Sequence, residues 1–94
     1  MARRRYLIAY DIEDPQRLRA VISLMEGYGT RLQYSVFLCD LSSRELFLWR
    51  QSILSRIKLK FDSVVVLDLG RPEANNIEVI GVPRRFPRSG PVIV

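Results

Sequence analysis

The stretch Arg4 to Ile12, R-R-Y-L-I-A-Y-D-I, constrains this chain more than any other. Six of its last seven residues are apolar or aromatic, and the exception is Asp11. Its length, its β-branched and aromatic content and the break at Asp14-Pro15 predict a strand. Alternate side chains of a strand point to opposite faces, so Tyr6, Ile8, Tyr10 and Ile12 share one face and Leu7, Ala9 and Asp11 the other. Both faces are apolar and both require cover. A carboxylate at the end of such a strand needs a partner, a cation or water, because burying a lone charge is costly.

The bounds on function follow from size and charge. Ninety-four residues make one domain with a modest core, yet 48% of them are hydrophobic. That surplus favours an oligomer in which a second copy covers what one copy leaves open. No segment approaches the roughly 20 apolar residues of a membrane span, and no signal-peptide core precedes the first strand. With the lone Cys39, this predicts a cytoplasmic protein that needs no membrane. The net charge of +5 points to a phosphate-bearing partner, nucleic acid first, against the plain alternative of an arginine-rich surface. Histidine is absent, which excludes Ser-His-Asp triads and His-dependent zinc sites. Hydrolysis would then rest on carboxylates, a metal, Tyr, Ser, Lys or Arg.

Along the chain, Arg3, Arg4 and Arg5 form a basic lead-in that either touches phosphate or is solvated. Asp14 is the expected N-cap and Pro15 the first residue of a helix. Leu18, Val21, Ile22, Met25 and Tyr28 form its apolar face, and Gly27 and Gly29 end it. Arg17 lies in the first turn, where a cation is slightly unfavourable; a phosphate ligand or a salt bridge to Asp14 or Glu13 would account for it. Thr30 to Leu41 is one long strand, or two joined near Tyr34-Ser35. Leu32, Tyr34, Val36 and Leu38 read as its core face. Arg31, Gln33, Ser35 and Phe37 read as a face for a ligand or an interface.

Ser42-x-x-Glu45 is a capping box. It opens a second helix with the stripe Leu46, Trp49, Ile53 and Ile57, widened by Phe47 and Leu54. Trp49 reads as core rather than a base-stacking platform. Arg50, Arg56, Lys58 and Lys60 make its exposed side basic, in accord with the negative helix C-terminus. Ser63 to Leu69 is apolar on both faces, which predicts a central strand, and Ile77 to Val82 a short further strand. Residues 1–82 form the predicted domain. Pro83 to Val94 reads as an arm whose Val92-Ile93-Val94 tip docks on a neighbouring protomer, or else as a disordered tail. The order β-α-β-α-β-β, or β-α-β-β-α-β-β, is α+β. A ferredoxin-like plait with two helices on one face of an antiparallel sheet is the nearest common arrangement. A two-fold dimer with facing sheets would bring Asp11 near its own copy, where a hard cation such as Mg²⁺ would relieve the repulsion. A helix-capping or surface aspartate is the plain alternative.

The pattern Y-L-I-A-Y-D-I, a helix with early arginines, and then G-Y-G-T-R-L-Q-Y-S-V-F-L-C-D-L resembles the small CRISPR-associated Cas2 family of the adaptation module. The likeness is strong from Tyr6 to about Leu41 and continues to Val82 as a match of element order. It implies a ferredoxin-like homodimer whose C-terminal strands cross to the partner. It implies a metal-dependent endonuclease acting on RNA or double-stranded DNA, with Mg²⁺ (or Mn²⁺) at paired aspartates. It also implies a complex with the Cas1 integrase that captures spacers, in which the protein acts as a nuclease, as a non-catalytic DNA-binding bridge, or as both. By position, Asp11 is the catalytic, metal-binding aspartate. Tyr10, Arg17, Arg19, Arg31, Ser35 and Phe37 are the nucleic-acid-binding candidates. A toxin-type RNA nuclease outside CRISPR would share the fold.

Overall fold

The computed structural model describes residues 2–74 and 76–82; the predicted arm 83–94 lies outside them. Six main elements follow in the order β1 (Arg4–Asp11), α1 (Pro15–Glu26), β2 (Thr30–Gln33), β3 (Val36–Leu41), α2 (Ser43–Leu54) and β4 (Ser63–Gly70). A short 3₁₀ turn, Pro72–Ala74, comes after β4. The four strands pair antiparallel in the order β2-β3-β1-β4. This is the predicted ferredoxin-like plait, with both helices on one face.

Local chemistry sets the boundaries. Asp14 caps α1 by accepting the Arg17 backbone N–H at 3.0 Å, with Pro15 beginning the helix. Ser42 and Glu45 form the complete reciprocal capping box at α2. Thr30–Leu41 is two strands, joined by a turn at Tyr34-Ser35 with a register shift in the β2–β3 ladder between Arg31 and Gln33. The core lies between sheet and helices. Tyr6, Ile8, Tyr10, Ile12, Phe37, Cys39 and Leu41 from the β1 and β3 side meet Val21 and Met25 of α1 and Trp49 and Ile53 of α2. Trp49 is fully buried, as expected, and its indole N–H donates to Met25 Sδ at 3.1 Å. Burial also pushes the Cys39 thiol up to about 12, so it packs as a small apolar group rather than a nucleophile.

Four expectations are corrected. The core face of β2–β3 is the Arg31/Phe37/Cys39 face, whereas Leu32, Val36 and Leu38 stay half-buried and Tyr34 exposed. The leucine face belongs to the sheet surface that the helices do not cover. β4 is an edge strand among the described residues, so apolar residues on both faces do not by themselves mark a central strand. Phe47 and Leu54 are exposed rather than widening the buried stripe. Ile77–Val82 forms no strand; Ile77 to Ile80 instead face Leu7, Leu32, Gln33 and Val36 across a shallow groove on the uncovered face. No helix among the described residues is long and apolar enough to cross a membrane.

Candidate active site and nucleic-acid surface

Asp11 ends the interior strand β1, opposite Ser63 of β4. It is exposed, and among the described residues nothing donates to its carboxylate or pairs with it. Its surroundings are apolar. Cross-strand neighbours share a face, so register places Leu38, Leu7 and Leu67 in one row across the uncovered sheet and Val36, Ala9 and Val65 in the next. Val65 and Leu67 are each more than half exposed. A contiguous apolar face of this kind marks an interaction surface, and Asp11 lies at its margin on the same side as Leu7 and Ala9.

The loops around this end of β1 are tied together by Asp62, which the sequence reading did not single out. Its buried carboxylate accepts the Glu13 backbone N–H at 3.0 Å and the Lys58 backbone N–H at 2.8 Å. It also accepts Arg17 Nε at 2.7 Å and Nη2 at 3.0 Å. Arg17, followed by these backbone bonds, holds the carboxyl well below the usual carboxylate range. The partner of Arg17 is therefore Asp62, rather than Asp14 or Glu13. The available signal was Arg17 itself, a cation in a helix first turn that demanded a counterion.

Tyr10, Arg31 and Phe37 come together, on the helix-covered side of the sheet opposite Asp11. All three are buried. The Tyr10 and Phe37 rings stack with centroids 6.2 Å apart, and the Arg31 guanidinium lies 5.7 Å from the Phe37 centroid. Arg31 Nε and Nη2 donate to the Tyr34 carbonyl at 3.1 and 2.7 Å, and Tyr10 Oη donates to the same oxygen at 3.3 Å. Burial raises the Tyr10 phenol, with Arg31 opposing. Ser35 is half-buried in the turn, where its carbonyl accepts the Tyr10 backbone N–H at 3.1 Å. These residues fix the hairpin against β1. Arg19 is exposed on α1 and carries no ion pair among the described residues.

Comparison with known proteins agrees with this layout. The model of the family described as CRISPR associated protein Cas2 matches residues 4–77. The chain belongs to the Cas2 family. A relative from Thermodesulfovibrio yellowstonii, named CRISPR-associated endoribonuclease Cas2 2, is 40% identical over 82 residues, covering 87% of this chain and 88% of its own. One from Thermus thermophilus, named CRISPR-associated endonuclease Cas2 2, is 37% identical over 82 residues, 87% of each chain. The crystal structure of Streptococcus pyogenes Cas2 superposes with a TM-score of 0.72 at 32% identity, over 82% of this chain and 99% of that one.

Two further groups of basic residues stand apart in this Cas2 chain. Arg3 pairs with Glu45, Arg4 with Asp68 and Arg5 with Asp40, each through two hydrogen bonds of 2.8 to 3.1 Å. The Arg3 bond, with the backbone N–H of Ser42, lowers Glu45 to about 2. The lead-in is thus neutralised within the chain. Arg44, Arg50, Arg56, Lys58 and Lys60 lie exposed on α2 and the loop after it, with no carboxylate partner among the described residues.

No cluster of three or more metal-type side chains occurs among the described residues. Asp11 is the carboxylate at this end of β1 that one copy offers a potential ion. That donor set suits a hard cation such as Mg²⁺, which keeps several waters and needs only one or two carboxylates; it does not suit zinc, which takes nitrogen and sulfur ligands.

Proposed function

We propose that this chain is a CRISPR-adaptation endonuclease that works as a homodimer in the cytoplasm, cutting phosphodiester bonds with Mg²⁺ (or Mn²⁺) held at Asp11 from each protomer. The observation that carries the reading is Asp11 itself, a carboxylate without a partner among the described residues, at the margin of an apolar sheet face that the helices do not cover. A second copy related by a two-fold axis that passes beside this margin brings the two Asp11 carboxylates together. The bound ion would supply charge stabilisation at the scissile phosphate and acidify water. Asp62 and Arg17 then act as positioning residues, anchoring the loops beside Asp11. The names of the relatives support nuclease action, with endoribonuclease and endonuclease both represented.

The second reading is a DNA-binding bridge in a complex with the Cas1 integrase. The unpaired cations of α2 and its following loop favour it, since they provide a basic surface that does not depend on Asp11.

One experiment tests both. Wild type and Asp11→Asn are incubated with single-stranded RNA and with short duplex DNA, in Mg²⁺ and in EDTA. The expected result is cutting by wild type in Mg²⁺ alone, with the variant inactive but still dimeric and still binding nucleic acid. Metal-dependent cutting retained by Asp11→Asn sinks the assignment of Asp11. No cutting by wild type, with tight duplex binding, moves the function to the bridge.

A further inference from the structure

Tyr34 is the exposed aromatic of the β2–β3 turn, with 59% of its surface open. Its setting is rigid for an exposed side chain. The Tyr34 carbonyl accepts three hydrogen bonds, two from Arg31 and one from Tyr10 Oη. The Arg31 guanidinium, itself buried, stands 5.0 Å from the Tyr34 ring centroid, a cation–π distance that fixes the ring. Next to the ring runs a groove of about 410 Å³ between α1 and the hairpin, lined by Arg19, Ile22, Ser23, Glu26, Arg31 and Tyr34. That volume falls within the range of small-molecule sites. Arg19 stands at this groove with no ion pair among the described residues.

The turn lies at the same end of the sheet as Asp11. The Tyr10 backbone N–H donates to the Ser35 carbonyl at 3.1 Å, and Asp11 is the next residue of β1. Asp11 points to the uncovered face and Tyr34 lies toward α1, so a strand passing round this end of the sheet meets both. An aromatic plate held by a guanidinium, an adjoining slot with an apolar wall, and an unpaired cation together match an unpaired nucleotide: base on ring, backbone phosphate on arginine.

We propose that Tyr34 is a nucleobase-stacking residue, and that the groove beside it, with Arg19, holds an unpaired nucleotide flanking the one at Asp11. The inference rests on the endonuclease reading for its placement relative to Asp11. It separates the roles of two aromatics in one motif. Phe37 builds the hairpin from inside, and Tyr34 meets the substrate. It also gives the site a preference for single-stranded over fully paired nucleic acid, because a paired base is not available to the ring.

The test measures binding, so cleavage does not enter it. Asp11→Asn protein in EDTA is titrated into a fluorescein-labelled 12-nucleotide single strand and into the same strand made wholly abasic, read by anisotropy at fixed salt. Adding Tyr34→Ala is expected to weaken binding of the normal strand about 5- to 150-fold, the span of one base–aromatic stack. Tyr34→Phe holds affinity within about twofold, and Tyr34→Leu, with apolar bulk but no π face, behaves like Tyr34→Ala. On the abasic strand the Tyr34→Ala loss disappears. Unchanged binding by Tyr34→Ala, an equal loss on the abasic strand, wild-type affinity in Tyr34→Leu, or no binding of single strands by the parent each overturns the proposal. Thermal melts check that each variant is folded. If wild type fails to cut in Mg²⁺ while the Tyr34 pattern holds, the endonuclease reading falls and base stacking stands.

Discussion

Gly29 is the position at which the structure makes its sharpest demand on the sequence. It lies between α1 and β2, its N–H bonded to the Met25 carbonyl at 3.0 Å. A methyl group added there would clash with the Leu38 carbonyl and come within 2.5 Å of Cys39 Sγ, where ordinary contact begins at 3.4 Å. Neither neighbour can yield. Leu38 is fixed in the ladder opposite Leu7, and Cys39 is fully buried. Gly29→Ala therefore forces β2 away from β3 by about 1 Å, at the upper end of the roughly 1–3 kcal/mol cost of overpacking. Stiffening the unfolded chain returns about 0.4–1 kcal/mol. The clash wins, with a net loss of about 2 kcal/mol and a Tm lower by about 10 °C for a domain of this size. Thermal and urea melts at one fixed protein concentration measure it, because association would otherwise shift the midpoint. Cys39→Ala removes the sulfur, so the double variant should lose at least about 0.5 kcal/mol less than the two singles together. A Gly29→Ala protein as stable as wild type refutes the steric account, and strictly additive behaviour with Cys39→Ala refutes the sulfur's share in it.

Three further outcomes are expected. Asp40, Glu45, Asp62 and Asp68 all have lowered carboxyls in the folded state. Their stabilisation is present above the unfolded-state value near pH 4 and is lost as pH falls through their folded values; Asp62→Asn should lower Tm at neutral pH and flatten its decline below about pH 4 in a melt series. Arg50→Glu with Lys58→Glu should weaken duplex DNA binding and reduce the slope of log K against log salt by about 1 for each phosphate that is no longer neutralised. The doubly hydrogen-bonded Arg3 and Arg5, changed to Gln, should leave that slope unchanged in the same anisotropy titration. Leu67→Glu, on the uncovered sheet face, should yield a folded monomer by light scattering and size exclusion; an unchanged dimer would mean that the Leu7–Leu67 face is not the interface.

The parts of this fold legible in the sequence are those decided locally. Capping at Asp14-Pro15 and Ser42-x-x-Glu45, the burial of Trp49 and the strand carrying Asp11 all depend on residues within a few positions of one another. What stayed hidden was pairing over distance. Arg17 called for a counterion, yet Asp62 stands 45 residues later. Nothing local distinguishes the paired Arg3–Arg5 from the unpaired cations near α2, although the two have opposite consequences for nucleic acid. The faces of β2 and β3 came out reversed for a related reason: apolar alternation marks a face for cover without saying what covers it. In this chain the helices cover the Arg31/Phe37 face, and the leucine face lies on the other side of the sheet. Gly29 reads in the sequence as a helix terminator, while its tightest constraint comes from β3. The same reasoning reassigns the motif that signalled the family. Its Tyr10, Arg31 and Phe37 act from within, aligning the Tyr34-Ser35 turn with the end of β1. The outward residues at that end are Asp11 on one side and Tyr34 on the other, the two to which the proposals above assign the substrate.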